Sequence, residues 1–189
     1  MSRRARPART GATGQHGVMD VNRIDPPGVA DERTMLESWL DYHRATLAMK
    51  CDGLEDPQLR ERAVPPSTLS LLGLVRHMAE VERAWFRRFL GGEDAPYLYC
   101  ARTADGNRDD GEFDDVETAE VAEDFATWHE ECEHSRGVAA SLPSLDVTAE
   151  RRGEVLSFRW VLVHMVEEYA RHNGHADLIR QSIDGAVGD

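Results

Sequence analysis

Apolar residues recur at intervals of three and four positions along four segments of the chain, and this spacing predicts helices with one buried face. The four long segments span residues 31–53, 67–90, 118–141 and 157–185. A short helical turn is also predicted, at residues 56–62. Elsewhere we find no convincing alternation of apolar and polar residues of the kind that marks strands. Four amphipathic helices without a sheet predict an all-α protein with the fold of a four-helix bundle.

Capping residues stand at the expected ends of these helices. Asp31 is the predicted N-cap of the first helix, and Ser157 is that of the fourth. The second helix begins after either Ser67 or Ser70, since both serines precede its apolar stripe. Glycines that can end a helix follow the first, second and fourth segments, at Gly53, Gly91 and Gly185.

Two connections join the last three helices, and we expect both to be loops. Residues 93–116 form a long acidic connection, and residues 142–154 form a shorter one. The first contains a cluster of carboxylates, at Asp109, Asp110, Glu112, Asp114 and Asp115. These residues lack the ligand spacing of an EF-hand, so the sequence predicts a solvated loop and not a calcium site.

The length of 189 residues suits one domain with its own core. Residues 1–18 are rich in arginine and small residues, and we expect them to form a disordered basic tail, which makes Met19 a candidate start. The domain then covers residues 19–189. No run of about 18 apolar residues occurs, so the sequence predicts no membrane span.

The charge of the chain is strongly acidic, with 22 Lys and Arg against 35 Asp and Glu and a net charge of −13. Such a surface repels phosphate backbones and anionic lipids, which argues against nucleic acid or membrane as a partner. The three cysteines, Cys51, Cys100 and Cys132, have no CxxC spacing. This pattern favours buried thiols in a reducing compartment over a disulfide framework or a nucleophile. We therefore predict a cytoplasmic protein.

Four polar residues interrupt the apolar side of the last helix, namely His164, Glu168, His172 and His175. Their spacings of four, four and three place them on one face over successive turns. Buried polar groups need partners, and a carboxylate one turn from an imidazole is a frequent pair of metal ligands. The residues alone leave two interpretations open, a divalent metal site or a metal-free hydrogen-bonded network.

Two further histidines lie on apolar faces of earlier helices. His43 shares a face with Trp39, Leu40 and Leu47 of the first helix, and His77 shares one with the apolar stripe of the second. A single histidine in such a position is commonly a core residue with satisfied hydrogen bonds. From the pattern alone, either residue can be a packing histidine or part of a site.

Two stretches carry a family resemblance: STLSLLGLVRHMAEVERAWF, residues 67–86, and RWVLVHMVEEYARHNGHADLIR, residues 159–180. Together they resemble the DinB-like superfamily, and in particular its mycothiol/bacillithiol transferase-like branch, also called mini-circle proteins. The opening DPPGVADERTMLESWLDYHRATLAMKCDGL fits the same branch, so the likeness covers roughly residues 19–189. The resemblance implies a DinB-like four-helix-bundle metalloprotein.

In that family one histidine of the second helix and two residues of the last helix hold a metal. The resemblance therefore implies His77, Glu168 and His172 as metal ligands, with His164 and His175 beside them. Many members carry histidine at the position of Glu168, whereas the related mycothiol-dependent maleylpyruvate isomerases resemble this chain in having glutamate there. A divalent metal is implied, zinc first, with nickel and iron as alternatives.

The resemblance further implies an enzyme, a metal-dependent S-transferase that activates a mycothiol-like thiol for attack on a small electrophile. A homodimer is also expected from the family. Residues considered for the rim of the cavity, most of them expected to be structural or exposed, are His175 and, in addition, His43, Arg76, Glu80, Tyr169 and Arg171. The alternative function is a non-enzymatic helical bundle that binds metal in a stress response or binds another protein.

Overall fold

The computed structural model describes residues 22–101, 109–151 and 153–188, and the predicted basic tail lies outside these residues. The long helices are α1 (Glu32–Cys51), α3 (Leu71–Glu82, continued as a π-helix over Arg83–Leu90), α5 (Val121–Ser141) and α6 (Phe158–Asp184). The short elements are α2 (Asp56–Arg60), α4 (Gly111–Asp114), a 3₁₀ turn (Asp115–Thr118), and strands β1 (Thr148–Arg151) and β2 (Glu154–Ser157). The predicted all-α fold with four long helices is confirmed over the described part of the chain.

The predicted caps act at the helix starts. The Asp31 carboxylate accepts a hydrogen bond from the backbone N–H of the first turn of α1, and the Ser157 hydroxyl does the same at α6. Ser70, and not Ser67, is the N-cap of α3, since its hydroxyl accepts from the Gly73 N–H at 3.1 Å. Gly185 ends α6 in the left-handed region, at a φ of 82°, where a side chain would be strained.

A β-hairpin occupies the second half of the predicted loop at residues 142–154, so the prediction that the chain has no strands was wrong here. Strands β1 and β2 pair antiparallel, with Ala149 opposite Leu156 and Glu150 opposite Val155. Each strand has four residues. So short a run gives little room for a recognisable alternation of apolar and polar residues.

Helix α1 packs mainly on α6, and α3 packs on both α5 and α6. The shared core contains four large aromatic residues that are almost fully buried, Phe86, Trp128, Phe158 and Tyr169. Burial of aromatic side chains of this size is a main source of stability for a small bundle. This arrangement holds α3 and α6 side by side. We call the partly exposed side of their contact, where His77 meets His172, the groove between α3 and α6.

Part of the acidic connection is also packed into the fold, and the expectation of a solvated loop was wrong for Glu112. This side chain is buried on α4, with 1% of its surface exposed. The guanidinium of Arg76 donates hydrogen bonds to the backbone oxygens of Gly111 and Glu112, and it also pairs with Asp124. Arg76 thereby ties α4 to α3 and α5.

The three cysteines are free and buried, as predicted for thiols without a disulfide framework. Burial raises the pKa of Cys51 to about 12, and burial followed by the neighbouring Glu82 carboxylate raises the pKa of Cys132 further. Neither thiol is a nucleophile at neutral pH. Separately, no helix within the described ranges has the length and apolar character that crossing a bilayer requires.

Candidate metal centre

His77, Glu168 and His172 meet in the groove between α3 and α6. One potential ligand atom from each of the three lies within 4.8 Å of those of the other two. The His77 and His172 rings face each other across the groove, with their centroids 4.7 Å apart. Glu168 stands one helical turn before His172, with its Oε2 at 3.4 Å from the His172 Nε2. The structure thus brings together the three residues that the family resemblance implied.

The three side chains are only partly buried, with 20%, 18% and 12% of the His77, Glu168 and His172 side chains exposed. A small molecule can therefore reach them from solvent. Hydrogen bonding with His172 lowers the pKa of Glu168, and His164, His172 and His77 lower it further when positively charged, against an opposing effect of burial. The site accordingly presents a carboxylate at neutral pH.

Two imidazole nitrogens and one carboxylate oxygen form a donor set that suits a divalent metal. Zinc sites of catalytic type commonly use three such protein ligands and leave a fourth position open, and iron(II) accepts the same donors. Among the described residues, three side chains belong to this group of potential ligands. A metal bound by three ligands would keep coordination positions for water or a substrate. The chemistry and spacing of these donors therefore fit the metal that the family implies.

Glu112 supports His77 from the side away from α6. Its Oε1 lies 3.4 Å from the His77 Nδ1, and its Oε2 accepts a hydrogen bond from the Cys100 thiol at 2.6 Å. The Phe113 ring stacks on the His77 ring, with a centroid distance of 5.3 Å. A carboxylate at Nδ1 orients the imidazole and leaves Nε2 for a ligand.

Glu112 was not among the residues that the sequence predicted for the site. It was expected to be one member of a solvated acidic cluster. A usable signal was the pair of apolar residues Phe113 and Val116 inside that cluster, since they indicate one turn of helix with a buried side.

His164 and His175 lie next to the three converging residues. The His164 Nε2 is 3.4 Å from the Glu168 Oε1, and the His175 Nδ1 is 3.4 Å from the His172 Nδ1. Burial, followed by the nearby His172, lowers the pKa of His175. His164 also forms a second group of potential ligands with Glu167 and Glu168, which shares Glu168 with the first group.

Three of the residues considered for the cavity rim have structural contacts elsewhere. The Tyr169 hydroxyl donates to Glu82 at 2.8 Å inside the core, and Arg76 holds α4 as described above. The Glu80 carboxylate accepts a hydrogen bond from the backbone N–H of Tyr99 at 2.9 Å. These contacts account for the burial of all three residues.

The remaining two rim candidates, His43 and Arg171, also make contacts outside the converging group. His43 faces Asn173 of α6, which donates a hydrogen bond to the His43 backbone oxygen at 3.0 Å. Arg171 is exposed and pairs with Glu167. Neither residue belongs to a group of potential metal ligands within the described ranges.

A cavity of about 470 Å³ lies elsewhere, between α1 and α5. Its charged residues are already paired, since Arg44 binds Glu82 and Arg136 binds Asp41. No group of three potential metal ligands lines it among the residues that the structure describes. We therefore place the candidate site in the groove between α3 and α6, where the three potential metal ligands converge, and not in this cavity.

A helical bundle with this groove and these converging residues has the architecture of a DinB-like protein. The model of the mycothiol-S-transferase family matches residues 35–185. The match covers most of the chain, and the chain therefore belongs to this DinB-like family, which confirms the predicted resemblance. Comparison with curated proteins gave no significant match.

Proposed function

We propose that the protein is a metal-dependent S-transferase that joins a mycothiol-like thiol to a small electrophile. Membership of the mycothiol-S-transferase family supports thiol transfer as the reaction. The observation that carries the metal dependence is the convergence of His77, Glu168 and His172 within 4.8 Å. These three residues would hold a divalent metal, for which we propose zinc, with nickel or iron as alternatives.

The proposed reaction is a substitution or addition at an electrophilic carbon. The thiol sulfur forms a bond to this carbon, and in a substitution the leaving group departs with the electron pair of its own bond, while the thiol proton passes to solvent. A bound metal would lower the pKa of the thiol so that it reacts as a thiolate near neutral pH. The nucleophile then comes from the substrate, in keeping with the inert state of Cys51 and Cys132.

The side chains of the groove have separate roles in this proposal. Glu168 supplies negative charge and a ligand oxygen, and the His164 Nε2 at 3.4 Å helps to hold its other oxygen. Glu112 orients His77 through Nδ1. The partial exposure of the three ligands lets the thiol and the electrophile enter from solvent.

Elemental analysis and a conjugation assay on the same preparation test the proposal. The protein is purified without chelators and without a metal-affinity tag, and its metal content is measured. It is then incubated with a cysteinyl-sugar thiol and monobromobimane, and the thioether is measured against the uncatalysed rate. We expect about one metal per chain and a rate above the uncatalysed one. Protein that neither contains nor takes up a divalent metal would overturn the proposal.

Bound metal without conjugation of any electrophile would instead favour the alternative, a non-enzymatic metal-binding bundle. The homodimer and the cytoplasmic location are further proposals that rest on the family and on the composition. Light scattering on the full chain tests the first, with a mass twice that of one chain as the expected result.

A further inference from the structure

The groove between α3 and α6 continues beyond the metal centre as a row of facing side chains. His77 of α3 faces His172 of α6, and Trp85 faces His164, with ring centroids 4.7 Å apart in both pairs. Residue numbers rise along one side of the row and fall along the other, so the two helices run antiparallel here. The row places Trp85 two helical turns from His77 on the same side of the bundle.

Three rings at the far end of this row form a cluster that we call the aromatic shelf: Trp85, Trp160 and His164. Trp160 stacks on His164 at 4.9 Å and lies 5.3 Å from Trp85. Although it contacts both rings, Trp160 keeps 42% of its surface exposed. An indole that is held in place and still open to solvent can stack on a ligand with little further ordering.

The aromatic shelf adjoins the metal centre directly. His164 belongs to both, since its ring contacts the two indoles and its Nε2 lies 3.4 Å from the Glu168 Oε1. His164 and Glu168 are separated by one helical turn, which is about 5.4 Å along the axis. A molecule the size of a single ring, placed on the shelf, therefore has its edge within reach of the metal centre.

The chemistry of the shelf selects the kind of molecule. Indole faces carry a negative potential and attract electron-poor groups. The carboxylates of Glu167 and Glu168 lie 3.8 and 3.4 Å from the two ring nitrogens of His164, so acidic side chains border the shelf and add to this attraction. Resting on the S-transferase function proposed above, we propose that the aromatic shelf binds the electron-poor planar ring of an aromatic electrophile and holds its reactive carbon toward the metal centre.

Binding of meta-dinitrobenzene to the full chain tests this proposal. The compound is planar and electron-poor and has no leaving group, so its binding is measured without reaction. Calorimetric titration is performed with metal-free and with zinc-loaded protein. We expect binding in both states, and a Kd that rises about fivefold in Trp160→Ala and returns in Trp160→Phe, since an aromatic contact contributes about a two- to tenfold change in affinity.

Trp39 provides a matched control, because it is 41% exposed and its ring contacts are with Tyr42 and His43 of α1 and not with the rings of the shelf. Trp39→Ala should bind meta-dinitrobenzene as the unmodified protein does. An equal loss of affinity in Trp39→Ala and Trp160→Ala would overturn the proposal. Binding of methyl glucoside without binding of meta-dinitrobenzene would also overturn the proposal, because the shelf would then be a sugar-binding site.

A spectroscopic measurement on the unmodified protein covers the case in which Trp160→Ala fails to fold. The chain has four tryptophans, and each gives one indole N–H signal in a nitrogen-15 correlation spectrum. Phenylalanine substitutions assign the signals. We expect meta-dinitrobenzene to shift the signals of Trp85 and Trp160 and to leave that of Trp39 in place. Shifts confined to other tryptophans would contradict the proposal.

These measurements separate the aromatic shelf from the function on which it rests. Ring binding without conjugation of any thiol would leave the shelf in place and overturn the S-transferase. Conjugation of monobromobimane with no binding of meta-dinitrobenzene would support the S-transferase and overturn the aromatic shelf.

Discussion

Two polar clusters both contain residues of α3 and α6, yet they differ in how their hydrogen-bonding capacity is used. The first is the proposed metal centre of His77, Glu168 and His172. The second, which we call the buried network, consists of Arg44, Glu82, Trp128 and Tyr169. Glu168 and Tyr169 are adjacent in sequence, and because consecutive residues of a helix point about 100° apart, one enters each cluster.

In the buried network, hydrogen bonds connect all four side chains. Arg44 forms two hydrogen bonds with Glu82, at 2.7 and 2.8 Å, and the Tyr169 hydroxyl donates to Glu82 and accepts from the Trp128 indole. Although burial opposes its charge, the Glu82 carboxylate raises the pKa of Arg44. Burial, followed by Cys132 and Glu82, raises the pKa of Tyr169. The network is closed and holds a fixed charge state.

The metal centre is open by comparison. Its contacts of 3.4 Å between Glu168 and the histidines exceed the usual length of a strong hydrogen bond, and its side chains are partly exposed. Donor atoms that converge without saturating one another keep capacity for a ligand. Similar residues on neighbouring turns therefore stabilise the fold where they saturate one another, and they are available for binding where they do not.

Breaking the buried network should have the largest effect on stability. Glu82→Ala leaves the buried Arg44 with only the half-exposed Asp41, at 2.9 Å, and removes the acceptor of the Tyr169 hydroxyl. We expect the free energy of unfolding to fall by about 3–5 kcal/mol. Urea titration followed by circular dichroism measures this change. The control is Glu37→Ala, because Glu37 pairs with Arg33 near the surface of the same helix as Arg44 and should cost less than about 1 kcal/mol. Equal losses in the two variants would contradict the prediction.

Removing one of the proposed metal ligands should weaken metal binding and have little effect on the stability of the fold. In His77→Ala we expect metal affinity to fall more than about 100-fold. This loss is larger than the loss of about 10–100-fold expected when a residue that only orients a ligand is removed. The unfolding free energy of the metal-free protein should change by about 1 kcal/mol. Competition with a chromophoric chelator measures affinity. His129→Ala, at an exposed histidine of α5, is the control and should bind metal normally. Unchanged affinity in His77→Ala would refute the ligand assignment.

Glu112 tests the boundary between the two kinds of cluster, because it is buried like Glu82 but contacts His77. Glu112→Gln keeps the shape and removes the charge, and we expect metal affinity to fall about 10–100-fold. The same chelator competition applies. Glu117→Gln, at an exposed carboxylate of the following turn, should have no effect. A matching effect in both variants would point to general electrostatics and not to orientation of His77.

The smallest expected effect is the labelling of the Cys51 and Cys132 thiols by a disulfide reagent, which should be very slow in the native protein. Only the thiolate reacts, and burial raises the pKa of Cys51 to about 12 and that of Cys132 further. At about pH 8 we expect a disulfide reagent to label both residues slowly in the native protein and fast in denaturant. Rapid labelling of native Cys132 would show that the buried network opens readily.

Local features of the fold were predictable from the sequence. The Asp31 and Ser157 caps and the Gly185 terminus depend on residues within one turn of each other, and they are found where they were predicted. The choice between Ser67 and Ser70 was not predictable, since both serines suit the same apolar stripe. The hairpin was missed because each strand has only four residues, too few for a recognisable alternation of apolar and polar positions.

The candidate site divides in the same way. The four-residue spacing of Glu168 and His172 places them on one face of a helix, and the family resemblance added His77. That these three residues converge, and that Glu112 joins His77, depends on how α4 and α6 pack against α3. No spacing along the chain predicts such contacts.

The sequence by itself determined the long helices, most of their ends and the polar stripe of α6, because these follow from interactions within a few turns. Only the tertiary structure decided which polar residues close on one another and which remain open. The antiparallel register of α3 and α6 sets His77 against His172 and Trp85 against His164, while it turns Glu82 toward Tyr169. The physical reason is that register arises from packing of whole helix faces, in which many side chains of both helices take part.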